Sequence, residues 1–260
     1  MLDDLCLVSD LREELSLQAG TDVSLIARYA TGASVYFAKE TNRVYKPTLY
    51  TERRNGTGTE ILVLKNTPII EVQSLMVDGV EKFPSLSYGQ SGYVQTDDTT
   101  LELTSGIFSK GILNVCAVYW GGFGAKAVET TTLATTLITV KNSDWFSVDA
   151  GVTYGSTVFA QVQSNPSAGQ YVVDPVKGQY TFSSADLNKT VVISYRYRVI
   201  PQDLQDAVVS IAAQRYKRRT HIDQDSQTQA GTIIQFSHTD VPRATKLVID
   251  NYFNRGFMGS

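Results

Sequence analysis

Apolar positions recur at a helical period near both ends of the chain and at a strand period through its middle. Ile26, Tyr29, Ala30, Ala33 and Phe37 repeat every three or four positions, and this spacing predicts an amphipathic helix. Asp22 stands where its N-cap belongs, and Asn42 marks its end. A shorter helix is expected before it, with Ser9 as N-cap, Asp10, Glu13 and Glu14 favourable to its dipole, and Gly20 as its stop. Towards the other end, Pro201 suits a first helical position and Asp203 a first turn. Leu204, Val208, Ile211, Ala212 and Arg215 follow at helical spacing. A last helix is expected from Pro242, with Ala244, Leu247, Val248 and Tyr252 as its apolar stripe.

The middle alternates instead. "TLYTERRNGTGTEILVL" reads as two strands around the turn Asn55-Gly56-Thr57-Gly58. "PIIEVQSLMVDG" reads as a third strand ending in an Asp78-Gly79 turn, and "TTLELTSGIF" and "ILNVCAVYW" follow. In the last of these, Leu113, Val115, Ala117 and Tyr119 share a face. Gly121-Gly122-Phe123-Gly124 breaks the pattern and reads as a joint, since no Lys-Ser/Thr follows to make a phosphate loop. "AVETTTLATTLITV" opens a second β-module, continued by "STVFAQVQ", "QYVVD" and "GQYTF". Along its last strand Val191, Ile193, Tyr195, Tyr197 and Val199 form a face to bury. Val192, Ser194, Arg196 and Arg198 form one left wet or facing a partner. Both modules end in an aromatic-tipped strand, "AVYW" and "ISYRY", with spacing too loose to establish a repeat.

These elements predict an α+β fold. A helical bundle is expected from the N- and C-terminal helices, residues 1–47 and 200–260, with antiparallel β-modules inserted at 48–121 and 125–199.

Composition narrows the classes. A hydrophobic share of 42% and a charged share of 19% fit a folded chain, and a net charge of -3 argues against a general nucleic-acid glue. Two cysteines, Cys6 and Cys116, suggest free thiols in a reducing compartment. The opening "MLDDLCLVSDL" has no basic n-region and no apolar run is long enough to span a bilayer, so synthesis in cytoplasm and no membrane partner are expected.

Candidate chemistry is sparse. His221 and His238 lie in or beside a polar loop, away from any recognisable nucleophile. Asp223, Asp225 and Gln227 alternate like calcium ligands, but Thr228 replaces the required Gly and Ile234 the bidentate Glu, which favours a flexible linker. Asp97-Asp98 reads as a turn. No catalytic residue, metal ligand set or cofactor is expected, and the chain does not read as an enzyme. Arg215, Lys217, Arg218 and Arg219 either complement a helix C-terminus or meet acidic protein or DNA phosphate without sequence specificity. Tyr252, Phe253, Phe257 and Met258 are either a partly packed end or an aromatic anchor for a partner.

Two segments carry a resemblance. "VSDLREELSL" with "TDVSLIARYATGASVYFAKETNRVYKPTLYTERRNGTGTEILVLKNTPIIEVQSLMVDG", and "VIPQDLQDAVVSIAAQRYKRR" with its Pro-x-Asp-Leu-x-x-Ala opening, resemble phage head–tail connector (adaptor) proteins across residues 9–120 and 198–256. The module near 125–198 departs from compact members and is similar to β-modules of phage structural proteins. The resemblance implies a homo-oligomeric ring of about twelve copies, since a head-to-tail interface closes cyclically. It would sit in the virion neck, assembled in host cytoplasm, joining the portal protein to a stopper or tail protein while double-stranded DNA passes. It places Tyr252, Phe253, Phe257 and Met258 at the portal side, leaves Arg215, Lys217, Arg218 and Arg219 as lumen or partner cations, and transfers no catalytic residue. Rival readings are another tail or neck structural protein, a carbohydrate-binding module with Tyr-rich surfaces, and an enzyme with a dispersed site.

Overall fold

Strand is the dominant element of this chain. The computed structural model describes residues 3–18, 22–85, 90–219, 226–229, 232–235 and 241–254. The chain divides into a helical unit, 3–43 with 200–254, and a β unit, 44–199.

The β unit holds two cores. In the first module, β1 (Thr48–Gly56), β7 (Gly111–Gly121), β3 (Ile69–Val77) and β4 (Val80–Lys82) form one sheet in that order. A second sheet orders β2 (Ile61–Val63), β6 (Thr100–Leu103) and β5 (Tyr93–Gln95). Their inner faces bury Leu62, Leu75, Leu101, Phe108 and Tyr119. In the second module, β8 (Gly124–Thr132), β15 (Thr190–Arg198), β10 (Phe146–Tyr154) and β11 (Thr157–Val158) repeat the first sheet's order. β9 (Leu137–Thr139), β14 (Gln179–Phe182), β13 (Gln170–Asp174) and the added β12 (Ala160–Gln161) repeat the second. Leu133, Val140, Phe146, Tyr180 and Tyr195 fill that core.

The two modules are copies of one design. Leu62 faces Leu101 as Ile138 faces Tyr180, and Tyr93 faces Leu103 as Tyr171 faces Phe182. The copies also share a buried clasp. Tyr119 donates to Glu52 (2.6 Å), which accepts the Lys65 amide (3.2 Å), while the Asn66 amide donates to Tyr119 Oη (3.1 Å). Tyr195 donates to Glu129, which accepts the Lys141 amide (3.0 Å), while the Asn142 amide donates to Tyr195 Oη (3.3 Å). Corresponding residues are offset by about 76 positions, so the loosely spaced aromatic-tipped strands do belong to an internal repeat.

In the helical unit, α1 (Val8–Glu14), α2 (Val23–Thr41), α3 (Gln202–Arg218) and α4 (Arg243–Tyr252) pack on one another. Ile26, Ala30, Ala33 and Phe37 are buried along α2. Asp22 caps it by accepting from the amides of Ser24 (2.9 Å) and Leu25 (3.2 Å), and Asn42 ends it in the left-handed region. β16 (Ser226–Gln229) and β17 (Thr232–Gln235) pair antiparallel inside the segment expected to be a linker.

Several expectations are corrected. Among the described residues the fold is mostly antiparallel sheet, with fifteen strands in 44–199 and four α-helices outside it, so a helical bundle framing inserted modules is not its architecture. The physical reason is that each β-module closes a core of its own and needs no helical frame. β1 and β2 do not pair with each other: β1 joins β7, and β2 joins β6 in the other sheet. Leu113 leaves its expected face, because a register shift between Arg54 and Gly56 sets it at φ 51° with its side chain 55% exposed. Leu7, not Ser9, precedes α1, and its amide donates to Asp10 (3.4 Å). On α4 the buried stripe is Thr245 and Ile249, while Leu247 is exposed. Gly20 lies outside the described residues.

Burial, and then the hydrogen bond to Glu129, push the Tyr195 phenol from 10.0 up to about 12. Burial also raises Tyr119, Tyr171 and Tyr180, helped by Glu52 for the first and Asp149 for the other two. An acid whose native pKa is raised contributes stability that is whole below its unfolded value and is lost as pH rises through the native one. The β unit is therefore expected to unfold cooperatively in alkali, with these four of the fourteen tyrosines ionising together, as read by phenolate absorbance against circular dichroism. Tyr195→Phe should cost about 1–3 kcal/mol in denaturant unfolding, because Glu129 and the Asn142 amide lose their partner.

Candidate functional site

The strand β15 buries residues that its alternation assigns to water or to a partner. Arg196 and Arg198 are each 4% exposed, while Val199 is 48% exposed. Each arginine stacks on a tryptophan: Arg196 on Trp120 at 4.3 Å and Arg198 on Trp145 at 5.0 Å. These are the chain's two tryptophans. A guanidinium is weakly hydrated and flat, which lets it enter an aromatic contact that an ammonium would resist.

Arg196 also ties the modules together. It donates through Nη2 to Glu71 of β3 in the first module, and Trp120 is the last side chain before that module's glycine joint. In its own sheet Arg196 lies opposite Lys126. Like charges facing across strands repel, and Glu71 offsets both. The hydrogen bond from Arg196, then the charges of Arg196 and Lys126, hold the Glu71 carboxyl below its ordinary 4.5.

Beside this clasp lies an open cleft of about 670 Å³, walled by Pro68, Ile70, Phe123 and Val199 and carrying Glu71, Asp98, Lys126 and Arg196. Gly122, Phe123 and Gly124 of the joint all line it. Gly122 sits at φ +109°, and a Cβ there would lie 2.5 Å from the Lys46 carbonyl oxygen. One on Gly124 would lie 2.2 Å from Pro47 Cγ and 2.6 Å from the Tyr197 carbonyl oxygen. The glycines serve close backbone packing, in keeping with a joint. Phe123 stacks on Tyr45 (5.1 Å), donates its amide to the Tyr45 carbonyl (3.1 Å) and accepts from the Val199 amide (3.2 Å). Two cations balance two carboxylates here, an arrangement suited to holding a surface rather than to proton transfer. Sequence reasoning left Glu71 and Trp120 unmarked. The signal available was an arginine pair interrupting an apolar strand.

The residues singled out by sequence lie elsewhere. Arg215 stacks on Tyr36 (4.6 Å) and donates to the Gly32 carbonyl (3.3 Å), so it fastens α3 to α2. Arg219 lies over Tyr216 (3.6 Å) and donates to its carbonyl (2.7 Å), completing the C-terminal turn of α3. Lys217 is exposed and Arg218 half-buried. Tyr252 donates to Asp203 (2.9 Å), and its carbonyl accepts from Arg43 (2.5 Å). Phe253 is 45% exposed. Phe257, Met258, His221, His238, Asp223 and Asp225 lie outside the described residues. Asp97 makes the expected turn, accepting from the Thr99 amide (2.6 Å). Tyr119, Tyr171, Tyr180 and Tyr195 of the β-modules are interior and bonded to carboxylates. Among the described residues no group of three or more His, Cys, Asp or Glu could hold a metal ion.

No family model matches the sequence, and no curated protein matches it. The chain is similar over 100% of its length to a chain in a solved structure described as "Neck of empty GTA particle computed with C6 symmetry". The identity is 15%, 95% of that chain is covered, and the TM-score is 0.40. A likeness of that degree fixes neither fold nor function.

Glu71→Gln should destabilise the β unit by about 1–2 kcal/mol in urea unfolding, the solvent at Glu71 discounting the loss. Because the native Glu71 pKa is depressed, its contribution is full above the unfolded value and is lost as pH falls through the native one. The gap between wild type and Glu71→Gln should therefore close on acidification below about pH 4.5, the ordinary value for this carboxyl.

Proposed function

We propose that this chain is a non-enzymatic structural protein of a phage neck, a head–tail adaptor whose copies form a ring that joins portal to stopper or tail and lets DNA pass. One observation carries the reading. The helical parts of the two segments that resemble connectors, separated by the whole β unit in sequence, are stitched together in the folded chain. The Asn254 amide donates to the Thr41 carbonyl (2.8 Å), Arg43 donates to the Tyr252 carbonyl, and Tyr252 donates to Asp203. A ring subunit that clasps a portal by its C-terminal end needs that end anchored up to the point where it leaves, and the anchor stops beside the exposed Phe253. Phe253, Phe257 and Met258 are the portal-side candidates. Tyr252 acts as their anchor. Arg215, Lys217, Arg218 and Arg219 are the cation candidates for a lumen or partner, with Arg215 and Arg219 also engaged inside the helical unit. Assembly in host cytoplasm and residence in the virion neck complete the proposal. Among the described residues no helix is long and apolar enough to cross a membrane.

Native mass measurement and negative-stain images of the chain, alone and with portal, provide the test. A closed ring of about twelve copies is expected. Deleting 255–260, or Phe253→Ala, should abolish portal binding with unchanged thermal unfolding, whereas Arg43→Ala should lower stability first. A chain that stays monomeric with portal present would defeat the reading.

A further inference from the structure

We infer that the free edge of β8 is a docking site for an extended, uncharged segment of another protein, whose end seats in the cleft beside Arg196. The ladder fixes which groups are available. The Leu133 amide bonds to the Lys189 carbonyl (3.0 Å) and the Val199 amide to the Phe123 carbonyl (3.2 Å), at the two ends of the β8–β15 register. Hydrogen-bonded pairs alternate in an antiparallel ladder, so the odd residues of β8 bond to β15. The amides and carbonyls of Lys126, Val128 and Thr130 consequently point away from the sheet. Among the described residues, none of them bonds to another backbone segment.

Of the usual edge guards this strand keeps one, the charge of Lys126, and lacks bulge and proline. Its nine pairs run without a register shift, whereas the β1, β3 and β10 ladders are each interrupted by one or more. It has no proline, and Val128 is 59% exposed on it. A long flat edge is a template for strand addition. The cleft selects the occupant. Gly124, Ala125 and Lys126 form one wall of it, so an added strand runs directly into it. Its charges already cancel, Lys126 and Arg196 against Glu71 and Asp98, so a further charge finds no counterpart while an apolar side chain finds Ile70, Phe123 and Val199. The inference stands whether or not the chain is an adaptor.

The probe is the acetylated, amidated peptide Thr-Val-Thr-Val-Thr, compared with its copy N-methylated at both valines and with a version carrying Asp for the first valine. Backbone amide shifts and Trp120 fluorescence in Trp145→Phe are followed. Binding in about the millimolar range is expected, with shifts confined to Lys126, Val128, Thr130 and the cleft. The N-methylated and Asp peptides should bind at least about tenfold more weakly. Val128→Pro, which removes an outward amide and leaves the ladder to β15 intact, should abolish the shifts. Shifts at β1 instead, equal binding of the N-methylated peptide to wild type, or no binding at about 10 mM would overturn the inference. The wild-type comparison decides the matter even if Val128→Pro does not fold.

Discussion

The β unit depends on a crowded backbone crossing at Gly122-Phe123-Gly124. Chain enters the unit at Lys46-Pro47 and leaves it at Tyr197–Val199, and both runs pass within a methyl's distance of the joint. Side chains on Gly122 or Gly124 would push these runs apart. Phe123 then does what the glycines cannot, fixing the entering chain by its ring and amide and the leaving chain by its carbonyl. Both ends of a long β excursion are thus tied at one residue, which removes the freedom that a loop of this length would otherwise keep.

Duplication explains how so little sequence supports two cores. The Tyr–Glu clasp recurs because each module needs its last central strand locked to its first strand and to the following loop. Buried hydroxyl and carboxylate satisfy each other and two amides at once. The copies diverge at the next position. Trp120 follows the clasp tyrosine in one and Arg196 in the other, and these two equivalent side chains stack on each other. Contact between equivalent positions is the mark of a self-complementary interface. Replacing one side of such a contact by its chemical complement makes the pairing of unlike copies specific, and Glu71 strengthens it from the first module alone.

What was legible in sequence was local chemistry. Asp22 and Asn42 delimit α2 because capping depends on near neighbours, and Asp78-Gly79 turns because both residues tolerate positive φ, at 52° and 76°. The pairing of β1 with β7 was not legible, since a turn-like Asn55-Gly56 suggests a local hairpin while the inner faces of two sheets decide partners at long range. Nor was the burial of Arg196 and Arg198, which depends on two tryptophans brought from other strands and turns. The overestimate of the helical ends has the same origin: clear amphipathic periodicity marks a buried stripe without saying how large a core it joins. Phe253 and the cations at the end of α3 were legible as unusual residues, but only the folded chain shows that Arg215 holds α3 to α2 and that Arg219 closes the C-terminal turn of α3.

The distribution of reactive groups bears on function more than any one of them. Glu52, Glu129 and Asp149 are the carboxylates that meet the core tyrosines, and each is occupied by tyrosine hydroxyls and backbone amides. Cys6 is buried, and burial followed by the charge of Asp4 pushes its thiol up to about 12, far from a reactive thiolate. These four groups are thus engaged inside the fold, among strands and helices. In the neck role proposed above, modules with a tied base and a long open strand edge would accept neighbours. Specificity would then reside in backbone geometry and surface shape, which leave a faint trace in residue type.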